Sequence, residues 1–348
     1  MAESSFELAY QPKKIASFEY AISHYKSVVD TALRKLFVGD SYLSRASYKA
    51  ISSGGKRIRA TLALLSCEAT CGSYEKALPV ALSFELAHSA SLIQDDILDD
   101  SSMRHNKPAI HSEYGSVRAI LISDYLLFNI FHELSTLEDS GISADRMALI
   151  LRYVADSAKW AAKGEFSDML ATTKGNITED EYIETASMKT GSLFAGATAA
   201  GAVAGGADAR ATKAFYSYGH SYGVAFQILD DLLDFLGDPA VTGKPAFKDY
   251  ENHTSNILLV DVPSSKENSL SRREAVPLES SQIISMLERN GSIEKAAILG
   301  QKFCRRAKSH LKVIPDSPSK KVLEYMTYAL FSQFKDLRAR EKQQRKYR

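Results

Sequence analysis

This 348-residue chain lacks the marks of several large classes of protein. Its net charge is only +1, so it has no global basic bias of the kind that nucleic acid binding requires. Met1 to Tyr10 has no cationic start followed by an apolar run, and the longest weakly polar stretch, Phe194 to Ala207, is Ala/Gly-rich and too short to span a bilayer. The expectation is a soluble, cytoplasmic protein without a transmembrane segment. Cysteine is scarce: Cys67, Cys71 and Cys304 are odd in number, and Cys67 and Cys71 share a helix face with no nearby His pair. They read as reduced core thiols rather than a disulfide framework or a metal site. Strand alternation is absent, which leaves helices to bury the 45% of hydrophobic residues.

Apolar positions recur at three- and four-residue spacing from Phe18 to Phe37, Ala60 to Ala69, Leu78 to Asp99, Val117 to Leu137, Arg146 to Leu170, Glu179 to Ala204, Ala209 to Phe235, Ser281 to Arg289, Ile293 to Leu311 and Ser319 to Arg340. Gly/Pro-rich breaks fall at Gly175-Asn176, Gly205-Gly206, Gly237-Asp238-Pro239 and Pro315-Asp316-Ser317-Pro318, with Ser317 or Asp180 as helix caps. No linker divides the pattern, so residues 1–348 read as one all-α bundle. Small residues at Gly191, Ala195, Ala199 and Gly201 let helices approach closely, as core packing or as the wall of a cavity. The Lys/Arg-rich end, Arg338 to Arg348, reads as a solvated tail.

Two acidic clusters of the same pattern stand out, Asp95-Asp96-Ile97-Leu98-Asp99 and Asp230-Asp231-Leu232-Leu233-Asp234. Each sits inside an apolar helical stretch, and offsets of i, i+1 and i+4 place three carboxylates on one side of a helix. Such a set cannot face its counterpart without cations. Oxygen ligands of this kind suit Mg2+, which keeps water and phosphate oxygens in its shell, so the ligand expected here is a diphosphate. A solvated acidic face explains one cluster as well as a metal does, but two such clusters, each with an amide (Gln94, Gln227) close before it, favour the metal.

Cations stand in matching places. Gly54-Gly55-Lys56-Arg57-Ile58-Arg59 opens a helix, bringing backbone N–H groups and three cations to one spot suited to phosphate. Arg104, His105 and Lys107 follow the first acidic cluster, and Lys189-Thr190 and Lys244 accompany the second. Any one of these alone would pass for a surface charge.

Together these residues resemble the trans-prenyltransferases, the head-to-tail isoprenyl diphosphate synthases, from about Ser52 to Ala329. The resemblance rests on GGKRIR at Gly54 to Arg59, ELAHSASLIQDDILDDSSMRHNKPAIH at Glu85 to His111, MKTGSLF at Met188 to Phe194, FQILDDLLDFLGD at Phe226 to Asp238 and GSIEKA at Gly291 to Ala296. It implies a helical bundle around a central cavity and a homodimer. An allylic prenyl diphosphate would be clamped by about three Mg2+ ions, or Mn2+ in their place, held on Asp95, Asp99 and Asp230, with Asp96, Asp231 and Asp234 adding further ligation or water-mediated contacts. Arg104, Lys189 and Lys244 would balance charge on the leaving diphosphate. Isopentenyl diphosphate would rest on Lys56, Arg59 and His88, and Thr190 and Gln227 would steady the allylic cation.

The chain departs from that family pattern in three places. His105 stands where a second Arg is expected, His253-Thr254 replaces a Gly-Lys, and Asn256-Ile257-Leu258 runs into a polar stretch, 263–274, without helical period. Product length should follow from the face under the first acidic cluster. Ser91, Ala90 and Ala87 are small, which lets the tail grow past farnesyl until a bulky residue such as Phe84, Phe128 or Phe131 stops it. The expected product is geranylgeranyl diphosphate or longer. Competing readings are a non-catalytic partner subunit of a heteromeric synthase, which would keep the fold and lose phosphate ligands, and a terpene cyclase, which would leave Lys56, Arg59 and His88 without a role.

Overall fold

The computed structural model describes residues 12–39, 41–174, 177–237, 247, 255–260 and 280–346. Its main elements are α1 (Pro12–Leu36), α2 (Tyr42–Ser52), α3 (Ile58–Glu68), α4 (Leu78–Leu98), a two-stranded ladder of β1 (Met103–Arg104) and β2 (Lys107–Pro108), α5 (Ile110–Tyr114), α6 (Ser116–Ser135), α7 (Ala144–Lys174), α8 (Glu179–Ala186), a π-helical turn (Ser187–Gly191), α9 (Ser192–Ala204), α10 (Ala209–Leu236), α11 (Ser280–Asn290), α12 (Ser292–His310) and α13 (Pro318–Lys346). Short 3-10 turns complete the set. The all-α expectation holds, with the antiparallel ladder as the one departure among the described residues.

Helix starts follow from their caps. The Ser41 hydroxyl accepts from the Ser44 amide ahead of α2, and Asp208 accepts from the Ala211 amide ahead of α10. At α8 the cap is Thr178, not Asp180: Thr178 and Glu181 form a reciprocal capping box, and Asp180 lies in the first turn. Ser317 does cap its helix, accepting from the Lys320 amide at 3.1 Å.

The centre of the bundle is α9, every residue of which is buried. Its neighbours are α10, α7, α3 and α4. Small residues make this possible: a Cβ on Gly201 would lie 2.1 Å from the Ala63 carbonyl oxygen, and one on Gly219 of α10 would lie 2.4 Å from that of Phe194. Helix backbones are in contact there, so the small-residue stripe serves core packing. All three cysteines are free; Cys67 and Cys304 are core thiols as expected, whereas Cys71 is exposed, at φ 68° just past α3. At the other end of the chain, α13 runs on to Lys346, so the backbone of the basic tail is helical that far.

Candidate active site

Four elements deliver the chemistry. Helix α4 ends on the first acidic cluster, α10 carries the second, the loop before α3 and the first turn of that helix bring Lys56 and Arg59, and the π-turn brings Lys189 and Thr190. Arg59 ties them together: its guanidinium lies 4.6 Å over the Phe194 ring and feels Glu85, Asp230 and Asp95. Burial lowers its pKa to about 10 despite those acids, and its Nε has no hydrogen-bond partner. A half-buried cation with a spare donor is a place for an anion.

Helix continuity breaks at Lys189 and Thr190. The π-turn widens the helix by one residue per turn, a device that re-aims side chains. Gly164 of α7 makes room for it, since a Cβ there would fall 2.3 Å from the Lys189 backbone nitrogen. That close approach lets the Lys189 ammonium reach Glu165 at 2.7 Å and Asp168 at 3.0 Å. Burial alone would lower the Lys189 pKa, but Asp168 and Glu165 outweigh it and hold it above the ordinary range. The Thr190 hydroxyl donates to Gln227 Oε1 at 2.6 Å, and Gln227 Nε2 donates to Asp231 Oδ1 at 2.8 Å.

The six aspartates divide into two kinds. Asp95 is half-buried, while Asp99 and Asp230 are exposed and Asp234 half-buried. Asp96 is turned into the protein, where the Arg104 Nε reaches both of its oxygens at 2.8 Å and the backbone around it binds Ser101. Asp231 is also buried, accepting from Gln227, from the Tyr182 hydroxyl at 2.7 Å and from the Ile257 amide at 3.0 Å. Asp96 and Asp231, expected to add ligation or water-mediated contacts to metal, have carboxylates that accept from protein donors. The i, i+1 pair straddles the helix, one carboxylate facing out and the next facing in. Arg104 is likewise bound to Asp96 rather than directed at a phosphate.

Mg2+ fits what is left. Desolvation by burial and then the neighbouring Glu165 push the Asp95 carboxyl up to about 7 against the pull of Lys189 and Arg104. Among the described residues no three His, Cys, Asp or Glu side chains come together in a group that by itself could hold a metal ion. An open carboxylate site suits an ion that takes the rest of its shell from water and phosphate.

Around the second phosphate spot, Lys56 is exposed and His88 is half-buried, its pKa held well below the ordinary 6.5 by burial and then by Arg59 and Arg104. His88 is therefore a neutral imidazole. His105 and Asn106 form a two-residue turn between β1 and β2 with φ 50° and 59°, the geometry of a tight hairpin. The turn lays the His105 ring against Gly54, where a Cβ would come within 3.2 Å. Arg57 is corrected: although grouped with Lys56 and Arg59 as a phosphate cation, it turns inward to Asp30, Glu85 and the Ile51 carbonyl. Lys244, His253 and Thr254, and the polar stretch 263–274, lie outside the described residues.

The chain-length residues also divide. Ala87 and Ser91 share the α4 stripe of His88 and Asp95, whereas Ala90 is 1% exposed in the seam with α6, its carbonyl accepting from Ser123. Phe84 is fully buried beside Gly196. Phe128 and Phe131 are corrected: at 66% and 62% exposed they lie on the outer face of α6 and line no interior tunnel. Glu165, Asp168 and Tyr182 escaped the sequence reading. The Gly164-Glu165 pair with Asp168 three residues on was their one local signal.

Residues 40–282 match the polyprenyl synthetase family. A short chain isoprenyl diphosphate synthase of Methanothermobacter thermautotrophicus is 33% identical over 308 residues, 86% of this chain and 93% of its own length. The crystal structure of a geranylgeranyl pyrophosphate synthetase from Pyrococcus horikoshii superposes with a TM-score of 0.82 at 27% identity, covering 91% of this chain and 99% of that one. A polyprenyl synthase from Caulobacter crescentus, complexed with calcium and isoprenyl diphosphate, gives 0.81 at 25% identity over 92% and 97%. These matches lend no support to a partner subunit of a heteromeric synthase. With both acidic helices, the glycine-rich cationic loop and the fold in agreement, the chain belongs to the polyprenyl synthetase family and is a trans-prenyltransferase.

Proposed function

We propose that the protein joins an allylic prenyl diphosphate to isopentenyl diphosphate, head to tail, and releases a product of geranylgeranyl size or longer. The observation that carries this reading is Arg59 lying within the field of both Asp95 and Asp230, which puts two acidic clusters and the phosphate loop around one space. The geranylgeranyl pyrophosphate synthetase relative and the small Ala87 and Ser91 support the product size.

Asp95, Asp99 and Asp230 would hold Mg2+, with Asp234 beside them; about three ions are implied, and Mn2+ would serve. Bound there, the metal supplies charge neutralisation to the departing diphosphate. Calcium with isoprenyl diphosphate in the Caulobacter relative supports such a divalent site. Lys189, already positioned by Glu165 and Asp168, adds a fixed positive charge, and Lys244 would add another. Arg104 acts through Asp96 on the end of α4.

Isopentenyl diphosphate would sit on Lys56 and Arg59, with neutral His88 as an N–H donor and His105 at the rim. The oxygens of Thr190 and Gln227 would face the electron-poor allylic carbon, and the Phe194 and Phe226 rings, 5.4 Å apart, would help exclude water. No protein base is assigned to the final proton loss, which the released diphosphate can accept. An exposed apolar face on α6, with Val117, Leu121, Phe128 and Phe131, supports a homodimer. No described helix is long and apolar enough to cross a membrane, which accords with a cytoplasmic enzyme.

The test is incubation of purified protein with farnesyl diphosphate, labelled isopentenyl diphosphate and Mg2+, followed by chain-length analysis, with EDTA and Asp95→Ala as controls. Metal-dependent elongation that disappears in the variant is the expected result. Folded protein that elongates no allylic starter would overturn the reading.

A further inference from the structure

We infer that Glu85, acting through Arg57, is a positioning residue for the isopentenyl diphosphate site and fixes the distance between that site and the metal-binding end of α4; this rests on the assignment of Lys56, Arg59 and His88 to isopentenyl diphosphate.

The loop ahead of α3 has an unusual backbone. Gly54 and Gly55 have φ 154° and 111°, and Arg57, the N-cap, has φ 54° and ψ 33°. A left-handed arginine is held only where its surroundings demand it. Here three helices supply that demand. Arg57 Nε donates to Asp30 of α1 at 2.8 Å, Nη2 to the Ile51 carbonyl of α2 at 2.7 Å, and Nη1 to Glu85 of α4 at 3.3 Å. Burial alone would raise the Asp30 pKa, but Lys26 and Arg57 hold it below the ordinary carboxylate range. The guanidinium also tucks under Gly55, where a Cβ would lie 3.3 Å from Nη1.

The consequence is a division of labour along the loop. Arg57 is buried and turned to Asp30, Ile51 and Glu85, whereas Lys56 is exposed and Arg59 lies over Phe194. Glu85 is only 2% exposed, and besides binding Arg57 it is the acidic group acting most strongly on Arg59. It stands three residues before His88 and ten before Asp95 on one rigid helix. A single buried carboxylate thus ties the loop that would carry one diphosphate to the helix that would carry the metals of the other. Its loss should loosen the loop and leave the allylic side in place.

The experiment pairs Glu85→Gln with Asp30→Asn, the latter removing an outer, partly exposed partner should the first variant fail to fold. Affinity for isopentenyl diphosphate is read by calorimetry in EDTA, and KM for each substrate by steady-state kinetics with Mg2+. The expected result for Glu85→Gln is a rise of about tenfold in both Kd and KM for isopentenyl diphosphate, with KM for farnesyl diphosphate within about twofold. Asp30→Asn should move the same quantities by about threefold. Isopentenyl diphosphate affinity unchanged in the folded variants, or a parallel rise in both KM values, would overturn the role. An Arg59→Gln control separates the failures. If it weakens isopentenyl diphosphate while Glu85→Gln and Asp30→Asn do not, the positioning role alone falls; if it too has no effect, the site assignment falls and takes the inference with it.

Discussion

Thr190 and Gln227 are joined by a 2.6 Å hydrogen bond in which the threonine hydroxyl is the donor and the amide oxygen the acceptor. Because the amide nitrogen is committed to Asp231, the oxygen end of Gln227 cannot flip away from Thr190. Thr190→Val keeps the shape and removes the donor. It should lower kcat by about tenfold to a hundredfold with much smaller changes in either KM, as expected for groups that act on charge in the transition state. Single-turnover kinetics with farnesyl and isopentenyl diphosphates would check it.

Tyr182 should matter for stability first. Its hydroxyl donates to the buried Asp231 beside the Gln227 amide and the Ile257 backbone N–H, and Tyr182→Phe removes that bond from the carboxylate. The expected loss is about 1–3 kcal/mol, read from urea unfolding of the metal-free protein. A smaller fall in kcat should follow, since Asp231 in turn orients Gln227.

The pH dependence of the metal-free protein has a definite sign. With its pKa near 7, Asp95 keeps a proton in the folded chain that it loses in the unfolded chain above its ordinary 3.8. That stabilisation is present at the acid end and is lost as pH rises through 7. Asp95→Asn should therefore melt higher than the wild type at pH 8 in EDTA, with the gap closing toward pH 5. Adding Mg2+ at pH 8 should favour the wild type. His88 works oppositely: neutral when folded, it costs stability once pH falls below 6.5 and the unfolded chain takes up its proton. Calorimetric melts of both proteins across this range test the signs.

Product length should respond to Ser91 before Ala90. Ser91→Phe puts a ring on the same stripe as Asp95 and should shorten the main product by at least one isoprene unit. Ala90→Phe, placed in the seam between α4 and α6, should chiefly destabilise the fold, by about 1–3 kcal/mol of overpacking. Chromatography of the dephosphorylated products and thermal melts distinguish the two outcomes.

Phe128→Glu together with Phe131→Glu should leave the interior untouched and split the proposed dimer. Sedimentation velocity would show a monomer of about half the mass, in line with burial of an apolar patch as the driving force for association. Unchanged sedimentation would move the interface elsewhere.

Helix periodicity located the long helices because each buries one face, and it set Leu78–Leu98 and Ala209–Leu236 to within a residue or two. It missed Tyr42–Ser52, where only Ala46, Ser47 and Ile51 are buried and the other positions mix polar, charged and aromatic residues. It misled at Phe128 and Phe131, since α6 is apolar on both faces and period alone does not say which face is inside. The acidic clusters were legible as clusters, but which carboxylate faces in depends on its partners: Tyr182 and Ile257, far along the chain, for Asp231, and for Asp96 the nearby Arg104, whose direction the hairpin sets. Arg57 was unreadable for the same reason: its direction is set by a positive φ and by Asp30 and Glu85 on two other helices. Glu165 and Asp168 looked like an ordinary solvated face because Gly164 reveals its purpose only beside the π-turn.

That π-turn gives this wall of the cavity a register rather than a composition. Each residue advances an α-helix by about 100°, so removing one residue between Ser187 and Gly191 would restore regular winding and swing Thr190 by about that angle. Lys189 would leave Glu165 and Asp168 in the same movement, while α9 below kept its packing. A side-chain replacement there alters one contact; a single-residue deletion re-indexes the whole wall. Under the proposed roles of Lys189 and Thr190, the length of Ser187–Gly191 would be as much a determinant of the chemistry as the identity of any residue within it.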